Sequence, residues 1–270
     1  MASAEAAAVP APEPEASRLR LTPPQAVADT TILRWHPLSP PPSRGRTLLL
    51  GHGAGSSVRH PLLAGIAAAL AERGSTVAGF NFAYAEAGRR RPDPPARLEA
   101  AFRDALTALS LPGRNAKDGR ALVLGGRSMG GRIASHLAAQ GVACAGMALL
   151  GYPLHPAGRP ERLRTAHWPA LRSLRVPLLF VQGDRDRLCD LDLLERERRL
   201  LSDTPVRLHV LAGADHGFRV RGRGPTDVAV EVAEVVTAWL ASLPSPSTSP
   251  STASGFIPAM RGQSRPPGVG

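Results

Sequence analysis

The sequence predicts an α/β domain, built on a mostly parallel, doubly wound sheet that helices cover on both faces. Short apolar stretches of strand length alternate along the chain with longer segments of helical periodicity. The stretches are apolar on both faces, as expected of parallel strands buried between two helix layers. The chain has 270 residues, of which 43% are hydrophobic. That is enough for one full core, and the sequence shows no internal repeat and no second core.

The predicted elements follow this alternation in order. Strands are expected at residues 47–50, 76–82, 121–124, 142–150, 176–182 and 206–211, after an edge strand at 33–35. Helices are expected at residues 60–73, 94–111, 128–140, 190–201 and 225–243. In helix 94–111, Leu98, Phe102 and Leu106 recur on one face, behind prolines that suit a first helical turn.

The two ends of the chain differ in composition from the centre. Residues 1–28 are rich in Ala, Pro and Glu, and residues 244–270 are rich in Pro, Ser and Gly. Neither segment has enough apolar surface to offset the entropy of ordering it. We therefore expect one domain at 29–243 between two disordered tails.

The charge is unusual, because Lys117 is the single lysine among 33 basic residues and the formal net charge is +11. Nucleic-acid binding needs clustered basic side chains that neutralise phosphates, and dense basic runs occur here only at 89–91 and 219–223. The 27 Gly and 27 Pro beside so many arginines indicate a coding bias. We expect no specific nucleic-acid partner; the opposing hypothesis predicts binding that weakens steeply with salt.

The cysteines and the N-terminus bound the compartment. Cys144 and Cys189 show no spacing typical of a disulfide framework or a metal site, so no metal is expected. The N-terminus carries glutamates and prolines where a signal peptide would be basic and then apolar. The longest apolar run, 142–150, is about half a membrane span. These features predict a cytoplasmic protein with no membrane partner.

The most specific motif is Gly-Arg-Ser-Met-Gly at residues 126–130, between the predicted strand 121–124 and the predicted helix 128–140. It matches G-x-S-x-G, in which small residues on both sides of the serine allow a tight strand-to-helix turn that exposes the hydroxyl. The N–H groups at the helix N-terminus favour negative charge beside that hydroxyl. Ser128 is therefore the candidate nucleophile; the alternative is a serine that only caps the helix.

A serine hydroxyl needs a base to take its proton, and the base needs a carboxylate, in the chain order Ser, Asp, His. His216 follows the predicted strand 206–211 and is the candidate base. Asp184 and Asp186 both follow strand 176–182, and we favour Asp186 because the third residue after the turn glycine is better placed to point back. Asp215 is expected to shape the loop through bonds from its side chain to the backbone.

The segment after strand 47–50 contains three glycines at 51, 53 and 55. Such a loop can point a backbone N–H at a reacting carbonyl, so Ala54 and Met129 are the candidate donors of an oxyanion hole. A phosphate-binding loop would need a lysine that is missing, and Ser56 stands where a dinucleotide fingerprint requires its third glycine. His52 has no nearby partners that would make it a metal ligand.

These motifs together resemble the α/β-hydrolase superfamily, on its dienelactone-hydrolase side. The resemblance covers residues 30–243 and rests on residues 51–55, 126–130, 183 with 186, and 215–217. More narrowly, residues 125–130, 152–156, 193–195 and 219–223 look similar to a small hydrolase-like group. That group includes bacterial proteins, testis-expressed eukaryotic members and the third subunit of the NSL histone-acetyltransferase complex.

The resemblance implies an α/β-hydrolase fold with a small cap and a triad of Ser128, Asp186 and His216, with no cofactor. Dienelactone hydrolases have cysteine as the nucleophile at the position of Ser128, so the serine here argues against dienelactone itself as the substrate. The expected reaction is hydrolysis of a small or polar carboxylic ester, thioester or lactone through an acyl-enzyme. Its partner is a small-molecule acyl substrate.

Segment 152–175 is too short for a large lid and is expected to form a small cap over an open site. His155 in this segment and Arg219, which follows the His216 loop, are candidate substrate-binding residues. Together with Arg221 and Arg223, Arg219 would favour acidic substrates. The alternative function is a non-catalytic, hydrolase-like interaction or scaffold subunit, because the narrower group includes subunits of complexes. The sequence predicts no oligomeric state.

Overall fold

One eight-stranded sheet organises the residues that the computed structural model describes, which are 13–19, 30–38, 46–109 and 122–244. The strands are β1 (Glu15–Leu19), β2 (Thr30–Trp35), β3 (Thr47–Gly51), β4 (Thr76–Phe80), β5 (Leu122–Arg127), β6 (Gly146–Leu150), β7 (Leu178–Gly183) and β8 (Val206–Leu211). Their order in the sheet is β1-β2-β4-β3-β5-β6-β7-β8. Strands β3 to β8 are mutually parallel, and β1 and β2 extend the sheet with antiparallel pairings.

Helices cover both faces of this sheet. On one face lie α1 (Pro61–Glu72) and α7 (Pro225–Ser242), which contact each other. On the other lie α3 (Pro95–Leu109), α4 (Met129–Ala139), α5 (Trp168–Leu174) and α6 (Leu191–Glu197), together with the short α2 (Ala83–Glu86). Leu48 and Leu50 pack with the first group and Leu49 with the second, because successive side chains of a strand point to opposite faces. The predicted α/β fold is confirmed.

The start of the sheet differs from the expectation. Residues 33–35 were predicted as an edge strand, but β2 lies between β1 and β4. Strand β1 also falls inside the segment 1–28 that the sequence predicts to be a disordered tail. Its residues, EASRL, show no apolar run. The strand forms because the backbone from Glu15 to Leu19 pairs with β2, which satisfies its N–H and C=O groups. Residues 1–12 and 20–28 of the predicted N-terminal tail, and residues 245–270 of the C-terminal one, lie outside the described residues.

Three further differences concern element boundaries. Helices α2 and α5 form in segments where the sequence predicts none. The predicted helix 190–201 divides into α6 and a 3-10 turn at Arg198–Leu201. The predicted strand 142–150 begins at Gly146, because the chain first turns back after α4 through Gly141 at φ 91°.

No helix among the described residues has the length and apolar character needed to span a bilayer.

The parallel strands β3, β5, β7 and β8 end at the same edge of the sheet. The segments that follow them begin at His52, Ser128, Asp184 and Ala212. The topology therefore brings together at one edge the four segments that carry the candidate site residues.

Candidate active site

Ser128 occupies a strained turn between β5 and α4. Its backbone has φ 51° and ψ −115°, a conformation that a non-glycine residue holds only when its surroundings impose it. A Cβ on Gly126 would stand 2.4 Å from the carbonyl oxygen of Gly51, and a Cβ on Gly130 would stand 2.1 Å from the same atom. Only glycine fits at either place, so the tight turn predicted from the G-x-S-x-G motif is confirmed.

A continuous hydrogen-bond chain leads from this serine to a buried carboxylate. The Oγ atom of Ser128 lies 2.8 Å from Nε2 of His216, and Nδ1 of His216 lies 2.7 Å from Oδ2 of Asp186. A carboxylate can only accept, so Nδ1 carries the proton, and in the neutral imidazole Nε2 is left to accept from the serine hydroxyl. The structure thus brings together the three residues that the sequence places in the order Ser, Asp, His.

The carboxylate of Asp186 is held from all sides. Its side chain is fully buried, Oδ2 also accepts from Nε2 of Gln182 over 2.6 Å, and Oδ1 accepts from the backbone N–H of Leu188 over 2.7 Å. Asp184, the competing candidate, accepts instead from the backbone N–H of Gly213 over 2.7 Å. Its role is to join the loops after β7 and β8, and Asp186 is the carboxylate that faces the histidine.

The loop that carries His216 is shaped by Asp215, as predicted. Oδ1 of Asp215 accepts from the backbone N–H groups of Gly217 and Arg219 over 2.7 and 3.0 Å, and Oδ2 pairs with the Arg219 guanidinium. Burial alone would raise the pKa of Asp215, but these hydrogen bonds from Arg219 and Gly217 hold it below its ordinary value. Phe218 is buried at φ 60°, which turns the chain sharply after the histidine.

The loop after β3 is held by a histidine whose role the sequence reasoning missed. His52 is fully buried, its Nδ1 donates to the carbonyl of Gly53 over 2.8 Å, and its Nε2 accepts from the N–H of Phe82 over 3.1 Å. Burial lowers the pKa of His52 to about 4, so the ring is neutral at pH 7. The hydroxyl of Tyr84 donates to the same Gly53 carbonyl over 3.2 Å.

The two candidate oxyanion donors belong to the loop after β3 and to the start of α4. Ala54 is exposed directly after the anchored Gly53, and Met129 is the first residue of α4. The N–H of a first helical residue has no carbonyl partner within the helix and is free to point at a developing charge. The placement of both residues suits the predicted role, which stays a prediction.

The two candidate substrate-binding residues already have protein partners. Nδ1 of His155 donates to the carbonyl of Pro156 over 2.9 Å, and its Nε2 accepts from the N–H of Asp190 over 3.1 Å. The ring lines a cavity of about 430 Å³ that also reaches Asp186. The Arg219 guanidinium is 86% exposed and bound to Asp215. Binding of substrate by either residue remains a prediction.

The segment predicted as a small cap packs largely into the core. Trp168 begins α5, is fully buried and donates through Nε1 to the hydroxyl of Tyr152 over 3.3 Å. Tyr152 in turn donates to the carbonyl of Arg164 over 3.3 Å. Over residues 152–175, α5 with its seven residues is the one α-helix, so this segment places no large lid over Ser128.

A second serine–histidine hydrogen bond lies behind the first. Oγ of Ser135 in α4 is 2.8 Å from Nε2 of His167, but Ser135 is fully buried and donates its only proton to the carbonyl of Arg132 over 2.7 Å. Nε2 of His167 must therefore donate. Burial, reinforced by His136 and Arg132, lowers the pKa of His167 to about 3, so the ring is neutral.

The strained serine on a strand-to-helix turn, inside a mostly parallel eight-stranded sheet, defines an α/β-hydrolase fold. The chain belongs to the Alpha/beta hydrolase domain family, whose profile matches residues 44–243.

Solved structures share the fold at low sequence identity. An alpha-beta serine hydrolase homologue from Coxiella burnetii aligns with a TM-score of 0.62 and 20% identity over 84% of this chain and 97% of its own. A dienelactone hydrolase from Anabaena variabilis aligns with a TM-score of 0.60 and 19% identity over 84% and 97%. A serine hydrolase without lid from Xanthomonas campestris aligns with a TM-score of 0.58 and 20% identity over 86% and 97%.

Proposed function

We propose that this protein is a serine hydrolase that cleaves a small or polar carboxylic ester, thioester or lactone. Ser128 is the nucleophile, His216 the general base and acid, and Asp186 the residue that orients the base. The observation that carries the proposal is the hydrogen-bond chain with distances of 2.8 and 2.7 Å from the strained serine to the buried carboxylate. The three groups stand in the order and at the distances that nucleophilic catalysis needs.

The reaction then proceeds in two halves. His216 takes the hydroxyl proton at Nε2 while Oγ of Ser128 forms a bond to the carbonyl carbon, and the same proton passes to the leaving oxygen or sulfur as its bond to carbon breaks. Water next attacks the acyl-enzyme, gives its proton to Nε2, and the acid leaves as Ser128 recovers its hydroxyl. Asp186 stabilises the imidazolium that forms in each half.

The developing oxyanion would bind the N–H groups of Ala54 and Met129. Two observations support these donors: Met129 stands at the N-terminus of α4, and the preceding residue of the other loop, Gly53, has its carbonyl fixed by His52 and Tyr84. Donors fixed before the reaction stabilise the charge without reorganising, and one such donor contributes about 10²–10³ in kcat.

A small or polar acyl substrate is the expected partner, because segment 152–175 carries no large lid. The similar fold from Xanthomonas campestris is described as a serine hydrolase without lid, which supports an open site here. We further propose, on the motifs at 125–130 and 152–156, that the chain falls in the small hydrolase-like group named above. We also propose that it needs no cofactor or metal and that it is cytoplasmic.

The test is hydrolysis of a short-chain p-nitrophenyl ester together with labelling by a fluorophosphonate. Wild-type protein should turn over the ester and carry the label on Ser128, located by peptide mass analysis. Ser128→Ala should lose both signals, which also excludes a contaminating esterase. If folded wild-type protein neither turns over nor labels, the hydrolase proposal is wrong, and an interaction subunit that retains the fold is the remaining hypothesis.

A panel of acetyl, butyryl and octanoyl esters, thioesters and lactones would then define the substrate class. We expect the highest kcat/KM for short acyl chains. Equal or rising kcat/KM with chain length would contradict the proposed open, polar site.

A further inference from the structure

Arg127 directly precedes Ser128 and lies close to two loops, the one that carries His216 and the one after β3. It is the last residue of β5, and its Nη2 donates to the backbone carbonyl of His216 over 2.6 Å. A Cβ on Gly53 would stand 2.9 Å from Nη1 of the same guanidinium and 3.7 Å from Cβ of Ser128. One side chain therefore contacts both the loop that carries the base and the loop that carries Ala54.

The guanidinium is partly buried and leaves part of its hydrogen-bonding capacity unused. Burial lowers the pKa of Arg127, although Asp186 and Asp215 oppose this effect from a distance. Its Nε is buried and has no hydrogen-bond partner among the described residues. A partly buried cation is costly unless it is paired closely, and here the hydrogen bond to the His216 carbonyl is the pairing that offsets this cost.

The charge of Arg127 reaches other groups around the serine. Burial lowers the pKa of His60, and the positive charge of Arg127 lowers it further. His60 lies directly before α1, and its N–H donates to the carbonyl of Ser57 over 3.1 Å. The charge of Arg127 therefore acts on the segment that follows β3 as well as on Asp215 in the His216 loop.

We propose that Arg127 is a positioning residue for the proposed reaction. It holds the His216 loop at the distance that the Ser128–His216 hydrogen bond requires, and it holds the loop after β3 so that Ala54 faces the oxyanion. The inference rests on the proposed function. A displacement of about 1 Å in either loop is enough to lower the rate about 10²-fold.

Lysine cannot replace this arginine fully. The planar guanidinium presents separate N–H groups in fixed directions, and here Nη2 binds the His216 carbonyl while Nη1 lies against Gly53. An ammonium is a single point of charge on a flexible stem. It can reach one of the two loops and leaves the other unsupported.

The first test compares Arg127→Met and Arg127→Lys with wild-type protein in kcat, KM and the rate of fluorophosphonate labelling. We expect Arg127→Met to lower kcat and the labelling rate by about 10- to 100-fold with KM changed less than about threefold, and Arg127→Lys to recover part of the loss. The matched control is Arg73→Met. Arg73 is also part-buried and donates to a backbone carbonyl, that of Ala69 over 3.0 Å, and its replacement should leave kcat unchanged.

The second test displaces the guanidinium without removing it. Gly53→Ala places a methyl group 2.9 Å from Nη1 and should lower kcat by a factor similar to that of Arg127→Met. Because both changes act through one contact, the double variant should be little slower than either single variant. The control is Gly65→Ala on α1, because its added Cβ would meet the side chain of Ala229 on α7 at an ordinary contact distance of 3.4 Å.

The outcomes separate the two proposals. Wild-type protein that neither turns over nor labels overturns the hydrolase function. If wild-type protein is active, three outcomes overturn the positioning role only. Arg127→Met could keep kcat within twofold of wild-type protein, it could change KM alone, or its effect could multiply with that of Gly53→Ala. Should Arg127→Met fail to fold, Arg127→Lys and Gly53→Ala decide in the same way, because both retain a cation at residue 127.

Discussion

Ser128 and Ser135 each place a hydroxyl oxygen 2.8 Å from Nε2 of a histidine, yet the two pairs are built for different purposes. His216 is backed by the buried carboxylate of Asp186. The ring of His167 instead packs against that of His136, with centroids 4.2 Å apart.

The proton runs in opposite directions in the two pairs. The hydroxyl of Ser128 donates to Nε2 of His216, whose Nδ1 faces a carboxylate, whereas the hydroxyl of Ser135 donates to a helix carbonyl and accepts from its histidine. A short Ser–His distance is therefore no sufficient sign of a nucleophile. The orientation of the imidazole and the backbone that exposes the serine decide the chemistry.

The largest expected difference between the pairs is in activity. Ser128→Ala should lower ester hydrolysis by at least about 10³-fold, because the nucleophile is lost, while Ser135→Ala should stay within about threefold of wild-type protein. Initial rates on a p-nitrophenyl ester measure both. A comparable loss in Ser135→Ala would break the distinction between the pairs.

The carboxylates should differ almost as much. Asp186→Asn leaves one acceptor oxygen where the carboxylate uses both, one for Leu188 and one for His216, and removes the negative charge that stabilises the imidazolium. It should lower kcat by about 10³–10⁴-fold. Glu99 lies 3.2 Å from Nδ1 of His136, whose ring packs against that of His167, and Glu99→Gln should leave kcat near that of wild-type protein. Steady-state kinetics after a check of folding by circular dichroism makes the measurement, and an active Asp186→Asn would sink the assigned role.

The second pair should act on stability instead of rate. Ser135→Ala leaves the buried Nε2–H of His167 without its acceptor and should lower the free energy of unfolding by about 1–3 kcal/mol. Ser173→Ala is matched to it, since Ser173 donates to the carbonyl of Ala170 in the same i to i−3 pattern but is exposed. It should change stability by only a few tenths of a kcal/mol. Urea unfolding of the two variants tests this, and equal effects would contradict it.

Acid should affect the second pair through its histidine. His167 is neutral in the folded protein, with a pKa of about 3 against an ordinary 6.5, so below pH 6.5 the unfolded chain binds the extra proton. Stability should fall as the pH falls from 6.5 toward 3, by up to about 1.4 kcal/mol per pH unit from this group.

His52, with a pKa of about 4, adds to the same acid loss. His167→Gln keeps a donor for Ser135 but does not titrate, and should flatten the loss between pH 6 and pH 4. An unchanged slope in urea titrations of that variant would show that the histidine does not contribute.

Much of the fold could be predicted from periodicity. The six strands expected from apolar patterning all appear, and four of the five expected helices form as single α-helices, while the fifth, 190–201, divides into α6 and a 3-10 turn. Parallel strands and amphipathic helices leave their burial pattern in consecutive residues. Strand β1 could not be found in this way. Its residues lack an apolar run, and their pairing with β2 across residues 15–34 is a contact between separated segments.

The site divides in a similar way. Ser128 was predictable from the glycines around it, and Asp186 and His216 from their places after strands. The residues that hold the site in place were not predictable. His52 was predicted only not to be a metal ligand, and no motif indicates a role for Gln182. His52 bonds to Phe82, 30 positions away, and Arg127 to His216, 89 positions away. No local pattern reports such contacts.

The sequence by itself determined the α/β fold, the strained turn at Ser128 and the strand ends from which the acid and the base project. Each of these depends on steric limits and burial within a few neighbouring residues. Only the tertiary structure decided that Asp186 and not Asp184 faces His216, that the hydroxyl of Ser135 donates to a helix carbonyl, and that Arg127 donates to the carbonyl of His216. Those outcomes depend on the order β3-β5-β6-β7-β8 in the sheet, which brings distant segments to one edge where hydrogen bonds of 2.6–2.8 Å can form.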